Sequence, residues 1–198
     1  DRFAIAHCNF RLRGEESDGD EALVRGWAQE NAVRCYVKSF DTEEYAVKEG
    51  ISIEMAARDL RYSWFAQLCN DYGYTAVAVA HNANDNAETL ILNLLRGTGL
   101  RGLSGMSMIS GIPNAGTSGC ADRQSQGMVA KPYLIRPILE CTRKMIEGYA
   151  LVHKVPYRTD STNASSDYKR NRIRNDIFPI FEKINPSFVR TLNREMGY

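Results

Sequence analysis

The stretch AHNANDNAETLILNLLRG, residues 80–97, contains three side chains that could do chemistry together: His81, Asp85 and Glu88. In a helix, residues three apart share a face, so Asp85 and Glu88 would lie side by side. Two adjacent carboxylates can hold a magnesium ion or clamp a cationic group of a substrate. Asp85 also has the spacing of a capping box from Asn82, and acidic residues complement a helix N-terminus. The residues alone therefore leave a functional and a structural interpretation open.

Two pairs of arginines are the candidate partners of an anion. Arg58 and Arg61, in ARDLRY, lie three apart and outside the apolar stripe of a predicted helix, so they can point together at a phosphate. Arg172 and Arg174, in DYKRNRIRND, could meet RNA phosphates or a ligand carboxylate. A solvated cationic face is the alternative interpretation for both pairs.

The elements that would position these groups alternate along the chain. Apolar, β-branched runs predict strands, and the 3.6-residue period with capping residues predicts helices. We expect strands at 2–9, 33–40 and 75–80, and helices at 19–31, 53–72 and from 82 onward, with a connector at 44–51. Ser17 or Asp18 would cap the first helix and Ser52 the second. The run TAVAVA at 75–80 would be buried on both faces, as parallel strands are.

This alternation predicts an α/β fold with a doubly wound parallel sheet and helices on both faces. We expect a nucleotide-binding α/β domain at 1–140 and a C-terminal helical part at 141–198, with a loop or hairpin tip within 114–130. In the C-terminal part, Thr142 would cap a helix that turns Met145, Ile146, Tyr149 and Ala150 inward. Ligands of such folds bind at the carboxyl ends of strands, where His7 and His81 both lie.

The composition excludes few functions. The 198 residues carry a net charge of +1, so RNA binding would depend on a local basic patch. The five cysteines include no C-x-x-C pair, which disfavours zinc ribbons and cluster ligands and favours reduced, cytoplasmic thiols. No apolar run approaches the roughly 20 residues of a membrane span. The P-loop pattern G-x-x-x-x-G-K-[ST] does not occur.

Taken in order, the motifs resemble one family. AHCNFRLRGEES, ARDLRY, AHNANDNAET, LLRGTGLRGLSGM, IRPIL, DSTN and RNRIR follow one another from about residue 2 to 186. This order resembles the catalytic domain of the tRNA(Ile)-lysidine synthetase (MesJ) family, within the N-type ATP pyrophosphatase or PP-loop superfamily. LRGEES and the pair DSTN and RNRIR are the most specific of these motifs.

The resemblance implies an adenine nucleotide alpha hydrolase-like fold and a ligase reaction. In that reaction ATP adenylates the C2 oxygen of the wobble cytidine of a tRNA(Ile) with a CAU anticodon. The ε-amine of free lysine then displaces AMP and forms lysidine, while Mg²⁺ neutralises the pyrophosphate. A homodimer is compatible with this assignment, and no membrane partner is implied.

The resemblance also implies roles for matching residues. Ala6, His7, Arg58 and Arg61 would bind ATP. Arg61, His81, Asp85 and Glu88 would take part in catalysis. Asp85, Glu88, Arg172 and Arg174 would bind lysine or tRNA, with Asp85 as a weak candidate for a Mg²⁺ ligand.

Two departures from the family pattern accompany the resemblance. The phosphate loop S-G-G-x-D-S and the first strand do not occur in this sequence, and we expect them to precede Asp1. Where members commonly show H-x-N-H, this chain has Phe10 in the second histidine position. Family members usually continue into tRNA-binding domains, which we expect to be either separate or missing here, since the sequence ends at Tyr198.

Three alternatives remain at this stage. A tRNA thiolation enzyme of the same superfamily would commonly use C-x-x-C pairs. A non-catalytic RNA-binding fragment would fit a chain without the phosphate loop. An amidating or NAD-synthesising pyrophosphatase would turn over ATP without RNA.

Overall fold

The computed structural model describes residues 3–113, 131–159 and 169–197. These residues form two compact units. The first unit comprises 3–77, 111–113 and 131–133, and the second comprises 78–110, 134–159 and 169–197. The units describe packing rather than function, so the domain boundary at residue 140 stays a prediction. The expected loop within 114–130 and the DSTN motif at 160–163 lie outside the described residues.

The first unit is built on a parallel strand pair. Its elements are β1 (Ile5–Asn9), α1 (Glu15–Glu30), β2 (Cys35–Ser39), α2 (Thr42–Glu49) and α3 (Ile53–Tyr72). β1 and β2 pair in parallel, with Ile5 opposite Cys35 and Asn9 opposite Ser39. Parallel strands need a crossover connection, which α1 provides. The α/β prediction is therefore confirmed at this sheet.

Helix boundaries in the first unit follow glycines and caps. α1 begins after Gly14, whose φ of 51° suits a residue without Cβ, and no side chain caps the helix. The prediction that Ser17 or Asp18 caps α1 was wrong, because both lie inside its first turn. The predicted connector at 44–51 was also wrong. It contains most of α2, which Asp41 caps and Gly50 ends in the left-handed conformation.

The predicted cap of α3 is confirmed. The Ser52 hydroxyl accepts a hydrogen bond from the Met55 backbone N–H. α3 presents Tyr62, Trp64 and Phe65 to the core, and the Trp64 ring packs edge-on against Phe40 with centroids 6.1 Å apart. Aromatic side chains bury large apolar areas, so this cluster supplies much of the unit's hydrophobic stabilisation.

The remaining elements run from β3 to the C-terminal helices. They are β3 (Ala76–Ala78), α4 (Ala83–Arg96), α5 (Leu100–Leu103), β4 (Ile109–Gly111), β5 (Tyr133–Ile135), α6 (Arg143–Val152), α7 (Lys169–Arg172), a π-helical turn (Ile173–Ile177), α8 (Phe178–Ile184) and α9 (Phe188–Met196). The short strands pair in the order β3-β5-β4. β3 lies at an end of this order, and its Ala76 and Ala78 are exposed. The prediction that this strand is buried on both faces was wrong.

The core of the second unit packs α4 against the C-terminal helices. Ala83, Ala87 and Ile91 of α4 form one buried cluster with Phe178 and Phe188.

α6 is less buried than predicted. Thr142 caps it as expected, by accepting from the Met145 N–H. Ile146 and Ala150 are half-buried, but Met145 and Tyr149 are exposed, so the prediction that all four face inward was wrong for these two. Among the described residues, no helix is long and apolar enough to cross a membrane.

Candidate active site

The first turn of α4 is fixed by a reciprocal capping box. The Asn82 side-chain oxygen accepts hydrogen bonds from the N–H groups of Asn84, at 2.9 Å, and Asp85, at 3.2 Å. The Asp85 carboxylate accepts in return from the Asn82 N–H at 3.0 Å. This arrangement satisfies N–H groups that a helix start leaves without intrahelical partners. The structural interpretation of Asp85 is thus confirmed, and it leaves one carboxylate oxygen for other contacts.

Glu88, one turn further, is an entirely buried carboxylate with 0% relative exposure. Arg174 donates to both of its oxygens, from Nε to Oε1 at 2.7 Å and from Nη2 to Oε2 at 3.1 Å. Such a bidentate fork is the strongest geometry for an arginine and a carboxylate. Burial raises the pKa of Glu88 above its ordinary value, and the hydrogen bond from Arg174 opposes that rise.

A second cation, Arg170, completes the pairing of Glu88. Its Nε lies 3.3 Å from Oε2, which is an ion-pair distance without hydrogen-bond geometry. Its Nη2 donates to the Thr89 hydroxyl at 2.8 Å, and that hydroxyl donates to the Asp85 carbonyl. Sequence reasoning missed Arg170, although its spacing of four residues from Arg174 in KRNRIR would place both on one helical face.

Asp85 is the more accessible of the two carboxylates. Its side chain is 20% exposed, and its Oδ1 lies 3.5 Å from Nη2 of Arg174. Arg174 therefore bridges Asp85 and Glu88. Burial tends to lower the pKa of Arg174, but the hydrogen bond to Glu88 and the negative charges of Glu88 and Asp85 together outweigh it, so the pKa rises. Arg174 comes from the π-helical turn, a widened helical geometry that often occurs at functional sites.

Arg172 does not join this cluster. It is 70% exposed, and its nearest carboxylate partner is Asp176 at 3.9 Å. Exposed pairs of this kind contribute about 0–1 kcal/mol. His81 lies half-buried directly before the Asn82 cap. The structure thus brings together Asp85, Glu88 and Arg174 from the predicted set and turns Arg172 elsewhere.

The candidates of the first unit lie on β1 and α3. Ala6 is exposed and His7 half-buried on β1. Burial lowers the pKa of His7, with Glu21 and Asp20 acting in the opposite direction. On α3, the Arg58 guanidinium lies 5.0 Å from the centroid of the Tyr62 ring.

Arg61 and the loop after β1 form a further part of this unit. The Arg61 guanidinium lies 5.2 Å from the centroid of the Phe10 ring, a cation–π distance. Sequence reasoning missed Asn9, which is buried and donates to Asp18 at 3.1 Å and Glu21 at 3.0 Å. Its oxygen accepts from the Arg11 N–H, so Asn9 organises the connection between β1 and α1.

Comparison with known proteins decides the family. The sequence model of the PP-loop domain matches residues 1–181, most of the chain. This chain belongs to the PP-loop domain family. Within it, the chain is 45% identical to a tRNA(Ile)-lysidine synthase of Porphyromonas gingivalis over 96% of its length, which is 37% of that protein. For the tRNA(Ile)-lysidine synthase of Chlorobaculum tepidum the identity is 38%, over 96% of this chain and 52% of the relative.

The PP-loop fold is also found among solved structures. The U34-tRNA thiolase NcsA from Methanococcus maripaludis, with its [4Fe-4S] cluster, superposes with a TM-score of 0.67 at 13% identity. The match covers 96% of this chain and 59% of the thiolase, and at this identity it supports the fold alone. The α/β fold class predicted from the sequence is therefore confirmed. The chain spans about a third to a half of the length of the curated relatives it matches.

Proposed function

We propose that this chain is the catalytic part of an ATP-dependent ligase that forms lysidine on tRNA(Ile). The observation that carries the proposal is the identity of 38–45% to proteins named tRNA(Ile)-lysidine synthase over 94–96% of the chain. The substrates are ATP, free lysine and a tRNA(Ile) with a CAU anticodon. ATP adenylates the C2 oxygen of the wobble cytidine and releases pyrophosphate. The lysine ε-amine then forms the C2–N bond, and AMP leaves.

The cluster on α4 suits the recognition of lysine. Asp85 has a partly exposed carboxylate that the Asn82 N–H holds in place, so a lysine ammonium that replaced its 3.5 Å contact with Arg174 would find a fixed, charged acceptor. Glu88 has no exposed surface, so it contributes through Arg174 rather than by touching the substrate. Arg174 is 34% exposed and can offer its remaining N–H groups to a carboxylate or phosphate. We propose His81 as a further catalytic group and Arg172 as a tRNA contact.

The nucleotide is assigned to residues of the first unit. Ala6 and His7 are the second and third residues of β1, so they lie short of its carboxyl end at Asn9, where α/β folds bind ligands, and not at that end as predicted. Arg58 and Arg61 supply the positive charge that a triphosphate and its developing negative charge require. Because the proposed substrate is a tRNA, we place the enzyme in the cytoplasm. A homodimer is a further prediction, which sedimentation of the protein would test.

The described side chains do not fit a magnesium ion held by the protein alone. One Asp85 oxygen accepts from the Asn82 N–H, and the other faces the Arg174 guanidinium. Nowhere in the described residues do three His, Cys, Asp or Glu side chains come together as a metal site would need. No step is therefore assigned to a protein-held ion, and Mg²⁺ carried by the nucleotide stays a prediction from the family resemblance.

The deciding experiment incubates the protein with ATP, labelled lysine and an unmodified tRNA(Ile) with a CAU anticodon. We expect label at the wobble cytidine, with one AMP and one pyrophosphate released for each lysine joined. A matched tRNA in which the wobble base is uridine serves as the control and should remain unlabelled. ATP turnover that needs no tRNA, or sulfur transfer in place of lysine incorporation, would overturn the proposal in favour of an amidating or thiolating enzyme.

A further inference from the structure

A buried pair of asparagines joins the candidate site to the last helix. Asn86 follows Asp85 on α4 and is 5% exposed. Its side-chain amide donates to the Asn193 side-chain oxygen on α9 at 2.8 Å. Its own oxygen accepts from the Met106 backbone N–H at 2.6 Å. At 3.6 residues per turn, Asn86 lies about 160° around the helix from Glu88, so the pair holds the side of α4 opposite to Arg174.

Asn193 also hydrogen-bonds to the backbone of the first turn of α4. Its amide donates to the Ala83 carbonyl at 2.9 Å and to the Val189 carbonyl of its own helix at 2.8 Å. Ala83 is the first residue of α4, so Asn193 binds both the backbone and a side chain of the turn that carries Asp85. Buried amide networks in which donors and acceptors are matched fix one arrangement, since any other would leave polar groups unpaired.

The loop before β4 is shaped to reach this network. Gly105 has a φ of 63°, which favours glycine. A Cβ at this position would lie 2.5 Å from the Asn86 oxygen and 2.5 Å from the Met196 sulfur. A larger residue would therefore push the neighbouring Met106 N–H away from Asn86. Three segments, the start of α4, this loop and α9, meet at Asn86.

We propose that Asn193 is a positioning residue for lysine recognition, because it holds the first turn of α4 so that Asp85 points at the substrate ammonium. The proposal rests on the proposed function of Asp85. Asn193 lies beyond residues 1–181, which match the family model, and touches none of the residues assigned to substrates. Charged recognition tolerates only about 0.5 Å of displacement, so a helix turn held from both sides serves specificity as well as stability.

The test compares Asn193→Ala with Asn185→Ala in the full protein. Asn185 precedes α9 and donates to the Thr191 hydroxyl while accepting from the Ser187 N–H, so it is an amide of the same region whose side-chain hydrogen bonds stay within its own segment. Two quantities are measured: KM for lysine against kcat, and hydrogen exchange of the backbone amides of residues 83–88. We expect Asn193→Ala to raise KM for lysine about tenfold, to leave KM for ATP unchanged, and to speed exchange at 83–88 about tenfold, which corresponds to about 1.4 kcal/mol.

Asn185→Ala should lower the melting temperature without either effect. A merely structural role for Asn193 would reduce the folded fraction, and thus kcat, while KM for lysine stayed constant; that result would overturn the proposal. If the wild-type protein joins no lysine, the proposed function fails. Faster hydrogen exchange at 83–88 in Asn193→Ala but not in Asn185→Ala would still support the role of Asn193 in holding the first turn of α4. Equal hydrogen-exchange rates at 83–88 in both variants would refute this role of Asn193. If Asn193→Ala does not fold, Asn86→Ala removes the same bond from the side of α4 in both measurements.

Discussion

At the scale of single residues, burial separates two carboxylates that the sequence presents as equivalent. Glu88 is fully buried between Arg174 and Arg170, whereas Asp85 keeps 20% of its side chain exposed. A buried carboxylate with two guanidinium partners is mainly a structural anchor, because removing it leaves two partly exposed cations without their counter-charge. An accessible carboxylate can exchange its partner for a substrate ammonium. The two residues should therefore respond differently to loss of charge.

We predict that Asp85→Asn impairs activity and that Glu88→Gln impairs stability. Asn at position 85 keeps an oxygen for the capping box, so folding changes little, but losing a charged contact costs about 2–3 kcal/mol, or roughly 100-fold in kcat/KM for lysine. Glu88→Gln should lower the free energy of unfolding by about 2 kcal/mol, since Arg174 is partly solvated. Kinetics and urea unfolding measure the two effects. Glu147→Gln, in an exposed pair with Arg143, is the control and should change stability by less than about 0.5 kcal/mol.

His7 gives the molecule a defined response to pH. Because burial lowers its pKa below the ordinary 6.5, the folded state favours neutral His7. The stability this provides is present above pH 6.5 and is lost as the pH falls through the lowered folded-state pKa. We predict that urea unfolding from pH 7.5 to 5 shows a steeper loss of stability for the wild type than for His7→Gln. Parallel curves for the two proteins would contradict the assignment.

At the scale of elements, α4 shows how much of a helix's burial can be predicted from hydrophobic periodicity alone. Leu90, Ile91, Leu94 and Leu95 all suit an apolar face. Leu90 and Ile91 are buried, but Leu94 is 55% and Leu95 71% exposed. The core partners of α4, among them Ile173 and Phe188, cluster with its buried residues Ala83, Ala87 and Ile91, all within the first nine of its 14 residues. Periodicity identifies the apolar stripe, but only packing decides how far along the helix it is covered.

The contrast between Leu90 and Leu95 is a matched test on one helix. Leu→Ala changes helix propensity little at either position, so the difference reports burial. We predict that Leu90→Ala lowers the free energy of unfolding by about 2–5 kcal/mol, through lost transfer energy and a cavity. Leu95→Ala should change it by no more than about 0.5 kcal/mol. Denaturant unfolding followed by circular dichroism provides both values, and equal costs would show that α4 is covered along its whole length.

At the scale of the whole molecule, each unit has its own apolar core. In the second unit, the Phe188 ring lies edge-on to Phe178, with centroids 4.9 Å apart, and to Phe181 at 5.7 Å. These rings pack α8 and α9 against α4, which carries the candidate site. The last helices are therefore part of the scaffold of the site rather than an appendage to it.

We predict that Phe188→Ala costs about 3–5 kcal/mol of unfolding free energy, because a buried ring is replaced by a cavity. Lysine-dependent activity should fall with the folded fraction as the temperature rises, earlier than in the wild type. Val152→Ala, at a position 75% exposed, serves as the control and should stay within about 0.5 kcal/mol. A wild-type melting temperature in Phe188→Ala would show that this cluster does not stabilise the unit.

The sequence by itself determined the α/β class, the caps at Ser52, Asn82 and Thr142, and the order of motifs that points to the family. These features are local, because hydrophobic period and capping depend on residues a few positions apart. The start of α1 and the presence of α2 were predicted wrongly, although their signals are also local. The glycine before α1 and the cap at Asp41 were overlooked.

Only the tertiary structure decided which candidates share a site and in what state. Glu88 meets Arg174 and Arg170 across more than 80 positions of sequence, and Asn193 reaches Ala83 across 110. No spacing rule predicts such pairs, because they depend on how packed helices bring distant segments together. Burial likewise depends on every neighbour of a side chain. For this reason only the tertiary structure shows that Glu88 is fully buried, that Asp85 is partly exposed, and that Arg172 lies outside the cluster.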